Sequence, residues 1–179
     1  MNGWKLIFLL PFLSACGDGV TTYRATNDHK PAPAVASAQN ARWRVPVGWI
    51  EQPPSEMRAA SFLIKGKNGL SSDVSVIPLA GAAGGDLENI NRWRGQIDLP
   101  PLSESELSRH VKTIDAGGRP MRYVNFASEG PLIDGRYKKR VAAAYYHDGE
   151  RTWFVKMTGE DQNVRDAEKS FLQFLGSMR

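Results

Sequence analysis

The sequence predicts an α+β fold, a mainly antiparallel β-sheet of about six to seven strands packed with helices. Three observations carry this. Short segments of period-two alternation follow one another through residues 41–157. Neighbouring segments are joined by turn signals such as Lys67-Asn68-Gly69 and His147-Asp148-Gly149-Glu150, so adjacent strands run antiparallel. Clear helical spacing occurs near residues 87–97 and 161–176 rather than between every pair of strands, which separates this pattern from alternating βαβ units.

In order along the chain, Ala41 to Pro46 alternates, with Trp43 and Val45 on one side and Arg42 and Arg44 on the other, and predicts a first strand. Met57 to Lys65 predicts a second and Asp73 to Leu79 a third, with Val74 and Val76 on one face. Pro78 suits the end of that strand or a sheet edge, since it cannot donate to a ladder. The run Ala80-Gly81-Ala82-Ala83-Gly84-Gly85 is a loop, and Asp86 is placed to cap the helix that follows. Leu87, Ile90, Trp93 and Ile97 give that helix an apolar stripe, and Leu99-Pro100-Pro101 stops it. Ser103 and Glu106 predict a capping box for a short second helix reaching Arg109. Further strands follow over Val111 to Asp115, Met121 to Phe126, Tyr137 to Tyr146 and Thr152 to Met157. The last helix runs from Asp161 to about Gly176 with Val164, Ala167, Phe171, Phe174 and Leu175 as its buried stripe, and Thr158 with Asp161 reads as its capping box.

Ahead of this domain, residues 1–15 read as a secretory signal. Lys5 precedes the apolar run Leu6 to Leu13, which is too short to span a bilayer, a task for about 20 residues. Leu13-Ser14-Ala15-Cys16 resembles the bacterial lipobox. That resemblance implies cleavage before Cys16 and acylation of Cys16, making the bilayer a partner of the mature chain. Gly17 follows in place of an Asp, and resemblance to Gram-negative lipoprotein sorting then implies the outer membrane, facing the periplasm. Residues 16–40, with Pro31-Ala32-Pro33-Ala34, read as a flexible tether, and 41–179 as one globular domain.

The opening Pro46-Val47-Gly48-Trp49 and the ending Trp153 to Gly159 with Phe171 to Ser177 resemble PsbP-like domains. That implies an antiparallel sheet covered by helices. It implies no activity, and no photosystem-binding signature accompanies it. Asn89 to Gln96 with Leu99-Pro100-Pro101 also resembles a segment of exported bacterial proteins of unassigned role.

The residue types bound the chemistry. The chain has 179 residues, 23 Lys+Arg against 19 Asp+Glu, and one Cys. One Cys excludes an internal disulfide and a zinc site of the Cys type. The domain holds His110, expected to lead into a strand, and His147, in a turn. No Gly-x-Ser-x-Gly elbow, His-x-x-x-His pair or phosphate loop occurs, so no catalytic residue, metal or cofactor is expected. Asn89, Arg92 and Gln96 share one polar helix face and form a candidate binding site for an anion or sugar. Their alternative role is to tie down neighbouring loops. The basic run Arg136-Tyr137-Lys138-Lys139-Arg140 alternates in direction, which suits a solvated or edge strand better than a lipid-binding face. Nucleic acid is not an expected partner of an exported chain of net charge +4. The expected role is a non-catalytic binding or accessory domain of the envelope, acting on a ligand or an envelope protein. The alternative is an enzyme acting on an anionic envelope substrate with Arg92, Arg94 and nearby acids.

Overall fold

The computed structural model describes residues 43–53, 55–67 and 69–179. The signal sequence, Cys16 and the tether lie outside the described residues. The described chain forms seven strands and three helices: β1 (Trp49–Glu51), β2 (Ala60–Lys65), β3 (Ser71–Ala80), α1 (Asp86–Gly95), α2 (Glu104–His110), β4 (Lys112–Asp115), β5 (Pro120–Ile133), β6 (Tyr137–His147), β7 (Arg151–Glu160) and α3 (Asp161–Ser177). All strands pair antiparallel in one sheet of order β1-β2-β3-β7-β6-β5-β4. The fold is therefore α+β, as the spacing of turns and helices predicts.

Because side chains alternate along a strand, the sheet separates two cores. One face carries Phe62, Val74, Val76, Ala142, Ala144, Val155 and Met157 and is covered by Val164, Phe171, Phe174 and Leu175 of α3. Trp49, Phe62 and Phe174 meet there with ring centroids 5.2–5.5 Å apart. The other face carries Val124, Val141, Ala143, Tyr145 and Phe154, against Ile90, Trp93, Ile97, Leu102 and Leu107. Trp93 stands edge-on to Tyr145 and Phe154, 5.9 Å from each.

Pro78 sits inside β3, opposite Trp153 of β7. The carbonyl of Val76 turns toward β2, where it accepts from Ala59. Pro78, two residues on, turns the same way, past the last pairing of β2 at Ala60, so its missing donor faces a local edge.

Several expectations need correction. Residues 43–46 are not strand: Trp43 packs on Phe174 at 6.1 Å, Val45 is exposed, and the Arg44 amide donates to Ser177 Oγ at 2.8 Å. The segment is held by the end of α3 rather than by a ladder, so alternation there has no sheet behind it. The second strand starts at Ala60, three residues after Met57, because an Ser55–Arg58 bridge turns the chain first. Asp86 does not cap α1 but is its first residue, and the N-cap Gly85 has no side chain to offer. Glu160, not a Thr158–Asp161 box, caps α3, accepting from the amides of Gln162 and Asn163 at 2.9 Å. His110 ends α2 instead of leading into a strand. The basic strand β6 lies inside the sheet, between β7 and β5. Its charge is accommodated because Arg136 and Lys138 are exposed while Arg140 is held by Asp161 at 2.6 Å. The capping box of Ser103 and Glu106 is present as expected.

Candidate functional site

The short helices leave an opening near the turn joining β6 and β7. It is a cleft of about 520 Å³, within the usual range for small-ligand sites. Three segments form it: the loop from Gly81 to Gly85 entering α1, the start of β5 with Arg119 and Arg122, and the hairpin ends with Tyr145, His147 and Thr152.

The loop takes a shape that few residues accept. Gly81 and Gly84 have φ of 66° and 84°, in the left-handed region that glycine enters without steric cost. Ala83 shares that region at φ 50°, so the surroundings must hold it. They do. Thr152 Oγ1 donates to the Gly81 carbonyl at 2.7 Å, and the Gly81 amide donates to Glu150 O at 2.9 Å. Asn89 Nδ2 donates to the carbonyls of Ala83 and Gly85 at 3.1 and 3.0 Å.

Arg119 lies over the ring of Tyr146, 4.3 Å from its centroid. Tyr146 in turn stacks on Trp153 with planes 8° apart, and Trp153 Nε1 donates to Asp148 Oδ2 at 2.7 Å. Arg122 pairs with Asp86, whose Oδ2 accepts from Nε at 3.2 Å and lies 3.1 Å from Nη2. His147 Nδ1 is 3.4 Å from Thr152 Oγ1, whose proton already goes to the loop.

Two buried polar atoms here lack a hydrogen-bond partner, Arg119 Nη1 and the Tyr145 hydroxyl. Asp86 and Arg122 lie close enough to the Tyr145 hydroxyl to perturb it, but neither forms a well-directed bond with it. Burial, then the Asp86 carboxylate, pushes the pKa of Tyr145 up, and burial does the same for Tyr146. Both phenols therefore stay protonated at neutral pH, and Tyr145 remains a donor. The lining charges are Arg119 and Arg122 against Asp86, and the walls between them are aromatic.

The helix-face candidates divide. Asn89 is buried and lines the cleft, but its amide nitrogen is spent on the loop. Arg92 donates to Asn89 Oδ1 at 2.6 Å, and Gln96 accepts from Lys156 Nζ at 2.8 Å, on the sheet away from the cleft. Asn91 clasps Leu102 through both backbone atoms, and Arg94 Nε donates to Pro100 O at 2.7 Å. Asn89, Asn91 and Arg94 thus hold loops in place, Arg92 bonds within its own helix and Gln96 bonds to β7, and of the three candidates only Asn89 lines the opening. Arg119, Arg122, Tyr145 and His147 were not singled out by sequence as a site, since strand pairing alone brings them together. The one local signal was the glycine-rich loop before a helix.

No family model and no curated protein matches the chain. Several solved structures resemble it, two of which follow. One is a crystal structure from Bacteroides thetaiotaomicron VPI-5482, with 12% identity and TM-score 0.45, matched over 76% of this chain and 43% of its own. The chain thus spans under half the length of that protein. The other is LpqN, involved in cell envelope biogenesis of Mycobacterium tuberculosis, with 12% identity and TM-score 0.47, matched over 75% of this chain and 79% of its own.

Proposed function

We propose that this chain is a lipoprotein anchored in the bacterial envelope through acylated Cys16, and that its folded domain is a non-catalytic module binding a small ligand in the cleft. The place rests on the lipobox-like Leu13 to Cys16, with the outer membrane, facing the periplasm, as the site of anchoring. None of the helices among the described residues is long and apolar enough to cross a membrane, so the acyl chains are the attachment this reading requires. The likeness to PsbP-like domains stays with the sequence segments that carry it and brings no role.

The single observation that supports the binding role is the pair of buried, unpartnered donors at one opening, Arg119 Nη1 and the Tyr145 hydroxyl. Such a group costs about 1–3 kcal/mol, and folded proteins rarely leave one without a reason. A bound ligand with acceptor atoms supplies it. Support for a non-catalytic role comes from Thr152, whose hydroxyl lies 3.4 Å from His147 Nδ1 but donates its proton to the Gly81 carbonyl. The second reading, an enzyme acting on an anionic envelope substrate, draws on the same His147 at the cleft.

The test is to purify the full-length chain from membranes in detergent and analyse it by native mass spectrometry. We expect a bound small molecule that dissociates unchanged, and a Cys16→Ser variant that leaves the membrane fraction with the domain still folded. Firm membrane association of Cys16→Ser overturns the anchor. Recovery of a chemically altered ligand favours the enzyme, and recovery of a stoichiometric protein partner with an empty cleft favours an accessory subunit.

A further inference from the structure

We propose that the cleft takes a ligand carrying a carboxylate or phosphate group beside an apolar or aromatic body, and that this oxyanion displaces Asp86 from Arg122 to reach the Tyr145 hydroxyl. The inference rests on the reading of the cleft as a binding site and adds the ligand's chemistry and its mode of entry.

Asp86 already acts as an internal oxyanion. Its Oδ2 accepts from Arg122 Nε and lies 3.1 Å from Nη2, so a single carboxylate oxygen sits at the guanidinium edge that can donate two bonds to a carboxylate or phosphate. Their side chains are 37% and 42% exposed, and an ion pair so open to solvent contributes little to stability, so exchanging one carboxylate for another costs little. Released Asp86 is not stranded, because it is the first residue of α1, where the helix dipole favours a negative charge.

Behind this pair stands Tyr145, 6% exposed, its hydroxyl protonated and without a well-formed bond. Parting Asp86 from Arg122 uncovers a neutral donor beside a cation, which suits an oxygen carrying negative charge. Arg119 adds a second cation, paired with no carboxylate among the described residues and held instead against Tyr146. Tyr146, Phe154 and Pro120 contribute apolar lining that offers a flat body its contact.

The contrast on the opposite face sharpens the assignment. There Tyr123 donates to Glu168, Asn125 donates to Glu168 and accepts from Arg140, and Arg140 meets Asp161. Every link of that chain has its acceptor within the protein. At the cleft, donors exceed acceptors.

The experiment titrates the full-length lipoprotein in detergent with benzoate, phenyl phosphate, inorganic phosphate and neutral benzamide, following the amides of Gly84, Gly85 and His147 by NMR. We expect benzoate or phenyl phosphate to bind and benzamide not to, the better of the two anions naming the head group. Inorganic phosphate binds more weakly than phenyl phosphate if the aromatic wall contributes. Asp86→Asn should tighten anion binding about threefold or more, because the internal competitor loses its charge. Arg122→Gln should weaken it about tenfold, as loss of a charge-assisted contact does, with Arg122→Lys in between. Tyr145→Phe should weaken it severalfold. Thermal melts identify any variant that fails to fold, and Asp86→Asn then carries the test alone.

Unchanged or weaker anion binding in Asp86→Asn overturns the displacement. Benzamide binding as tightly as benzoate, or no binding of either aromatic anion up to about 10 mM, overturns the oxyanion assignment. If the membrane-purified chain nevertheless holds a neutral molecule at the cleft amides, the binding role stands without its anionic ligand. If it holds none, both fall.

Discussion

On one face of the sheet a single 17-residue helix, α3, packs its apolar stripe on a continuous core, and the aromatic rings of Trp49, Phe62 and Phe174 fill the gap between them. On the other face, helices of 10 and 7 residues cover less. They bury Ile90, Trp93 and Leu107 well, then leave the hairpin end of β6 and β7 open beside a glycine-rich loop. A long helix with five apolar positions in register closes a face and is a source of stability. Two short helices joined by prolines must be held by polar clasps, and the clasps of Asn89, Asn91 and Arg94 leave room beside them. The source of stability and the proposed binding cleft thus lie on opposite faces.

The largest expected effect tests the closed face. Phe171 is fully buried under the sheet, so Phe171→Ala removes its transfer free energy and leaves a cavity. We expect a loss of about 3–5 kcal/mol in a denaturant titration. A loss below about 1 kcal/mol would mean that α3 does not dock as a unit, and the contrast between the faces would be void.

A middle effect, with a pH signature, comes from Asp161 in the first turn of α3. Burial alone would raise its pKa, but hydrogen bonds from Arg165 and Arg140 outweigh burial and hold it below the ordinary carboxylate value. A depressed folded-state pKa stabilises the protein above the unfolded value, about 4, and that stability is lost as pH falls through the folded one. Asp161→Asn should therefore cost about 1–3 kcal/mol at neutral pH, and the gap from wild type should close as the solution is made acid. A gap that stays constant to low pH would remove the ion pair from the account of this face.

The reach of the sequence differs between the faces in the same way. The stripe from Val164 to Leu175 and the alternation of Val74 and Val76 were legible because helix and strand periods repeat within one element. The capping box at Ser103 was legible because it is local. Of the strand expected at Ala41 to Pro46, the described residues 43–46 are not strand, because alternation records a possible face, not a neighbour to pair with. The cleft was illegible for a stronger reason. Arg122 and Tyr145 face each other only through the register of β5 and β6, and Asp86 reaches Arg122 across 36 residues. The polar positions of α1 were visible, but not whether they faced solvent, a loop or a ligand.

The smallest effect concerns those α1 positions. Asn89 is buried and holds two loop carbonyls, whereas Arg92 is exposed and touches Asn89 through one hydrogen bond. Asn89→Ala should cost about 1–3 kcal/mol, since it strands the Ala83 carbonyl and leaves the Gly85 carbonyl only its bond from the backbone amide of residue 89. Arg92→Ala should cost less than about 1 kcal/mol, because an exposed guanidinium gives little to folding. It should also leave anion binding at the cleft unchanged, since Arg92 is not among the residues lining it. Asn89→Ala, by contrast, should loosen the loop and weaken anion binding together with stability. If Arg92→Ala instead weakened binding while leaving the melting midpoint unchanged, the ligand would lie on the helix face rather than in the cleft, and the open region of this domain would have to be placed along α1.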